Sequence, residues 1–192
     1  MKKHAWVPLI LLAAAGACSG GETENSASAP DNAAVAPTPV SEATDTGISL
    51  SEDGLRIAEA GPRPAVRLQF GTTSRAEVVS ALSPALGQPS RTARNEDCPT
   101  GAVDVVSFGS LDLHFADGKF AGWVLDGDRP ELQTSEGLKV GSARKEIEGG
   151  QADEASTLGT EIVISGIGAI LDGPGADARV TTLFSGTTCF AR

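Results

Sequence analysis

Residues 161–175 read EIVISGIGAILDGPG. An apolar run meets Gly166-x-Gly168, continues through Ala169-Ile170-Leu171 and ends on Asp172-Gly173-Pro174-Gly175. Two kinds of fold hold such a segment. One is a strand feeding a glycine-rich turn and a helix, as in dinucleotide-binding domains; the other is a glycine-bearing strand of an antiparallel sheet. The first needs a third glycine near position 171 and ten or more helical residues after it. Leu171 stands at that position, and Gly173-Pro174-Gly175 occupies the place where the helix would begin. The stretch is therefore sheet, with Gly166 and Gly168 inside a strand, Asp172-Gly173 starting the turn and RVTTLF (179–184) returning. A dehydrogenase reading, and with it a nicotinamide cofactor, is excluded.

The same pattern lies upstream. VDVVSF (103–108) precedes LDLHFADGKFAGWVLD (111–126), in which Asp117-Gly118 separates two alternating runs. Asp-Gly tolerates positive φ at both central turn positions, so this is a hairpin. Leu111, Leu113 and Phe115 alternate with Asp112, His114 and Ala116, which puts one face in a core and the other in water. Before the strands, Ser74-x-x-Glu77 forms a capping box, and Val78, Ala81, Leu82 and Leu86 recur at helical spacing until Gly87 and Pro89. A weaker copy, LKVGSARKEIEGG (138–150), aligns Arg144 with Arg75 and Glu146 with Glu77. The expected fold is α+β: two tandem repeats, each a short helical segment followed by an antiparallel β-meander. The first, with a leading β segment, spans 48–130 and the second 136–192.

The N-terminus specifies a compartment. MKKHAWVPLILLAAAGACSGG carries Lys2 and Lys3, then an apolar stretch from Ala5 to Ala17, then Cys18. The stretch is too short for a permanent membrane span, and small residues precede the cysteine. Ala15-Gly16-Ala17-Cys18 resembles the bacterial lipobox, which implies cleavage of a signal peptide, residues 1–17, and lipidation of Cys18. Ser19 rather than Asp follows the cysteine, which in that class implies the outer membrane on its periplasmic side. Residues 18–47 are rich in Ala, Pro, Ser, Thr and acids, without a basic or aromatic residue. Such a segment buries too little apolar surface to offset chain ordering, so a disordered leash with a span of about 30 Å is expected.

Removing residues 1–17 takes Lys2 and Lys3 with it and leaves 13 basic residues against 25 acidic, a net charge of −12. That excess disfavours nucleic acid and anionic headgroups, so the lipid has to hold the protein at the membrane. Cys98 and Cys189 then remain in an oxidising compartment, and a disulfide between them is the plain reading. On the chain-entropy account it stabilises the fold by about 4–5 kcal/mol.

No catalytic constellation assembles. His114 is the one histidine left after cleavage, and its strand position places it on the solvated face. Asp126 with Asp128, and Asp172 with Asp177, lie in Gly/Pro turns where Asp serves the backbone, so no metal and no cofactor is assigned. Trp123 and Phe120 share a strand at a spacing that puts them on opposite faces, which makes one of them a candidate anchor for a partner.

Gly141-Ser142-x-Arg144-x-Glu146-Ile147 and the run from Arg75 to LGQP (86–89) resemble the helix motif of BamE-type outer-membrane lipoproteins, small modules of helices on a three-stranded sheet. Two such modules in tandem resemble the β-lactamase inhibitor protein architecture. From DGLRI (53–57) to TTCFAR (187–192) the chain is similar to uncharacterised bacterial lipoproteins. These resemblances imply an exported, non-enzymatic binding or scaffold module with a protein partner in the envelope. The alternative is an inhibitor or ligand-sensing module on the same repeats.

Overall fold

A computed structural model describes residues 47–58, 64–127, 129–147, 151–156 and 159–189. The signal peptide, Cys18 and the leash up to residue 46 lie outside the described residues, as do Asp128 and Gly149-Gly150.

The architecture is mostly β, which corrects the α+β repeat expectation. Among the described residues there are twelve strands in two sheets, one α-helix and one short 3-10 turn. Strands β1 (Ile48–Ser51), β2 (Gly54–Ile57) and β3 (Val66–Gln69) form an antiparallel meander. The two-residue β8 (Gln133–Thr134) pairs parallel to β1 and completes a four-stranded sheet in the order β3-β2-β1-β8. The second sheet has eight antiparallel strands. They are β4 (Arg91–Asn95), β5 (Val103–Phe108), β6 (Leu111–Ala116), β7 (Lys119–Asp126), β9 (Gln151–Ser156), β10 (Gly159–Ile164), β11 (Ile167–Leu171) and β12 (Val180–Gly186). Their order is β4-β5-β6-β7-β12-β11-β10-β9, two four-stranded meanders joined edge to edge through β7 and β12.

The helix α1 (Arg75–Leu86) starts on the expected capping box. The Ser74 backbone N–H donates to Glu77 Oε2 at 2.8 Å, and the Glu77 N–H donates to Ser74 Oγ at 3.4 Å. Val78 and Leu82 are its buried residues, and Gly87 ends it with φ +83°. The second helical segment is only the 3-10 turn Arg144–Glu146. Where Ser74 caps α1, the aligned position is Ala143, which has no hydroxyl; only the Glu146 carboxylate accepts from a cap N–H, at 3.3 Å. Half a capping box does not offset the cost of nucleating a helix, and Ile147 is already extended, with φ −94° and ψ 109°.

Asp117-Gly118 is the β6–β7 turn, with φ +51° and +74°. Residues 161–175 are sheet, but the first turn falls elsewhere. Ser165 and Gly166, with φ +49° and +78°, join β10 to β11, so Gly166 sits in a hairpin turn rather than in a strand. Positive φ at both central residues is what a type I′ turn demands. Asp172 opens the next connection, from β11 to β12.

One face of the large sheet is covered by α1 and the small sheet, and a single core joins them. It contains Leu50, Leu55 and Leu68 from the small sheet, Val78 and Leu82 from α1, and Leu111, Leu113, Phe115, Phe120, Trp123, Leu125 and Leu183 from the large sheet. Trp123 Nε1 donates to the Ser51 carbonyl at 3.0 Å, and Ser185 Oγ donates to the Glu52 carbonyl at 2.8 Å. Both bonds tie the β1–β2 turn to the sheet beneath it.

Candidate functional site

The proposed anchor residues are not on the surface. Trp123 and Phe120 are both fully buried, and Phe120 packs edge-on against Phe70, with ring centroids 4.9 Å apart. Alternation fails for this pair because the β6–β7 register shifts. His114 opposes Gly122 while Phe115 opposes Phe120, so Ala121 is an extra residue on β7. The bulge turns Phe120 onto the same face as Trp123. A partner surface cannot be built on either side chain.

The other face of the large sheet carries the candidate site. Its residues follow from the strand register in rows across the sheet. One row runs Glu161, Ile170, Thr182 and Asp126 across β10, β11, β12 and β7. The next runs Val163, Gly168, Phe184, Val124, Asp112, Ser107 and Arg91. A third holds Gly122, His114, Val105 and Ala93. The middle of these rows is apolar but buried at Val124, whereas Val163, on β10 beside the edge strand, is 46% exposed. A Cβ on Gly168 would lie 2.3 Å from the Phe184 ring, so the glycine is what lets that ring lie flat across β11. Asp112, Asp126 and Glu161 flank these apolar positions, and Arg91 pairs with Asp112 at 3.4 Å. This ion pair is largely exposed and contributes little to stability.

A cleft of about 750 Å³ opens on this face, with Arg91, Asp112, His114, Val124, Ile170 and Thr182 among its lining residues. Asp126 accepts from the Thr182 hydroxyl at 3.2 Å. The other carboxylates weighed as metal ligands are held within the fold: Asp172 accepts from the Arg179 N–H, and Asp177 pairs with Lys145 at 2.8 Å. Among the described residues no group of three His, Cys, Asp or Glu is arranged to hold a metal ion.

His114 also departs from expectation. It lies on the predicted face but is buried, because residues 187–189 cross over it. The Thr187 N–H donates to the Ala121 carbonyl at 2.8 Å, and the Cys189 N–H donates to His114 Nδ1 at 3.3 Å. A Cβ on Gly122 would stand 2.3 Å from the Thr187 carbonyl oxygen, so the crossing needs a glycine beneath it. The Cys98–Cys189 disulfide then closes, with Cα atoms 5.6 Å apart. The bond thus joins the β4–β5 connection to a strap that follows β12.

Burial holds the His114 imidazole below its ordinary value of 6.5, with the Asp112 charge acting in the opposite direction. The unfolded chain takes up a proton near 6.5 while the folded chain stays neutral, so stability falls as pH drops through that value. We expect the urea midpoint to decrease between pH 7 and 5, with a slope of up to about 1.4 kcal/mol per pH unit. His114→Asn keeps an acceptor for the Cys189 N–H and should flatten the curve in this window. An unchanged slope would place the titration on another group.

No family model matches this chain, and neither a curated protein nor a solved structure does, so the open sheet face and its strap stand on their own geometry.

Proposed function

We propose that this protein is a lipid-tethered envelope module that binds a protein partner through the open face of its eight-stranded sheet, and that it is not an enzyme. The observation that carries the reading is the composition of that face: an apolar row from Val124 to the exposed Val163 on β10, flanked by Asp112, Asp126 and Glu161. Such a surface suits a partner with an apolar tip and a basic rim, and the net charge of −12 left after cleavage of residues 1–17 steers one toward it. The enclosed position of His114, with its Nδ1 already engaged by a backbone N–H, supports a binding role over acid–base chemistry. The lipobox-like Ala15-Gly16-Ala17-Cys18 and the leash supply the tether, and Ser19 directs it to the outer membrane. A lipidated Cys18 would leave the domain within about 30 Å of the membrane surface. The ligand-sensing reading draws on the cleft, whose 750 Å³ falls in the range of small-molecule sites.

A photoreactive residue at Val163 in intact envelopes tests the docking face, with the same residue at Val66 as control. Val66 is 36% exposed and lies on β3 of the other sheet. A discrete crosslinked partner from position 163, absent from 66 and lost with Asp126→Lys, is the expected result. Equal products from both positions would overturn the assignment of the face. Palmitate labelling tests the tether. Label should enter the wild type and vanish in Cys18→Ala, and an unlabelled wild type would refute lipidation.

A further inference from the structure

The Cys98–Cys189 bond sits apart from the main core. Cys98, Val103 and Val105 form a separate small apolar cluster, with Cys189 packed against it. The strap that carries Cys189 begins at Gly186, whose φ of +74° turns the chain out of β12. Among the described residues two hydrogen bonds hold the strap between that turn and the disulfide, and the one to His114 is long at 3.3 Å. Cys98 is 7% exposed, whereas Cys189 is only partly buried and so more open to attack. A segment fastened by few contacts outside the core opens on its own, without global unfolding, once its covalent tie is cut.

We propose that the disulfide is a redox latch: its reduction releases residues 187–189 from the sheet and uncovers His114 and Val105, enlarging the open face. The chemistry is thiol–disulfide exchange with a reduced dithiol, either a dithiol protein or a small molecule. One thiolate attacks the Cys189 sulfur, the Cys98–Cys189 bond breaks, and Cys98 leaves as a thiolate that takes up a proton. The second thiol of the reductant, as thiolate, then displaces Cys189. The reductant departs as its disulfide, and two electrons and two protons have passed to the pair. That the uncovered strip adds to a docking surface rests on the function proposed above; the opening itself does not.

His114 also biases the released state. A protonated Nδ1 can no longer accept the Cys189 N–H, so the freed strap has less reason to return once the imidazole is charged. The charged groups sharing the cleft with it are Asp112 from its own strand, Arg91 and Arg94 from β4, Glu96 and Asp97 just after β4, and Asp126 from β7. Val105 faces it from β5, and the strap presents the Cys189 backbone.

The test compares the full chain oxidised and reduced with dithiothreitol, by nuclear magnetic resonance. On reduction the His114 ring protons should titrate in the ordinary histidine range, and exchange of the Thr187 and Cys189 amides should accelerate at least 100-fold. The Leu183 amide should stay protected. Cys98→Ser should reproduce the reduced state without reductant. Two results would overturn the latch: an unchanged His114 titration with an unchanged strap, or loss of protection at Leu183 together with the strap. Crosslinking separates this from the docking reading. Failure at Val163 sinks the docking face, while the His114 titration still reports on the latch.

Discussion

Trp123→Ala lowers the stability of the domain by about 3–5 kcal/mol, measured as the shift in urea unfolding followed by circular dichroism. The side chain is fully buried between the large sheet and the β1–β2 turn, and truncation leaves a cavity that close-packed neighbours only partly fill. The change also removes the indole N–H that reaches the Ser51 carbonyl at 3.0 Å. Trp123→Phe keeps most of the ring volume but loses that donor, so a smaller loss is expected. A surface tryptophan would behave differently: Trp123→Ala would then cost no more than about 0.5 kcal/mol. Such a result would return Trp123 to the role of partner anchor.

Gly54→Ala is the second large effect. Gly54 opens β2 with φ +148°, and a Cβ there would stand 1.9 Å from the Leu68 carbonyl oxygen. Both problems involve backbone, so no rotamer relieves them. A conformation that only glycine adopts readily costs about 1–3 kcal/mol for other residues, and forced overpacking about 1–3 more. We expect a total loss of about 2–6 kcal/mol and faster amide exchange along β3. Gly71→Ala is the control. Its φ is +72°, but nothing lies within 4 Å of the new methyl, so it should cost only about 1–2 kcal/mol. Equal losses at the two positions would mean that the approach of β3 to Gly54 contributes nothing.

Several elements were legible because their signals are local. Ser74-x-x-Glu77 started a helix, and Asp117-Gly118 closed a hairpin, since each depends on residues three or fewer positions apart. The strands 103–108, 111–116 and 119–126 are apolar-rich runs bounded by turn residues and can be read directly, most plainly in the alternation of Leu111, Leu113 and Phe115. Other elements were missed for physical reasons. The strand RTARN (91–95) is a polar edge strand whose arginines carry no hydrophobic period, and its pairing comes from β5 alone. The two residues of β8 lie between the two expected repeats, 48–130 and 136–192, and β1 alone makes them a strand. The turn at Ser165-Gly166 was hidden by apolar residues on both sides, although Ser-Gly is itself a turn signal.

The candidate site was legible only in part. His114 was placed on the correct face, but its burial depends on a strap arriving from residues 187–189, more than seventy positions away. Alternation expects Phe120 and Trp123 on opposite faces, but one extra residue at Ala121 brings both into the core and leaves no mark in the composition.

By itself the sequence determined the turn chemistry, the helix start and the exclusion of a dinucleotide loop, since each follows from residue types and short spacings. It also paired Cys98 with Cys189, 91 residues apart, as the two cysteines outside the lipobox-like segment. Only the tertiary structure decided that β7 and β12 join two meanders into one sheet, that Trp123 serves the core, and that the disulfide closes over His114. Those outcomes depend on strand register and on contacts between distant segments. Propensity and periodicity carry no information about which edges meet.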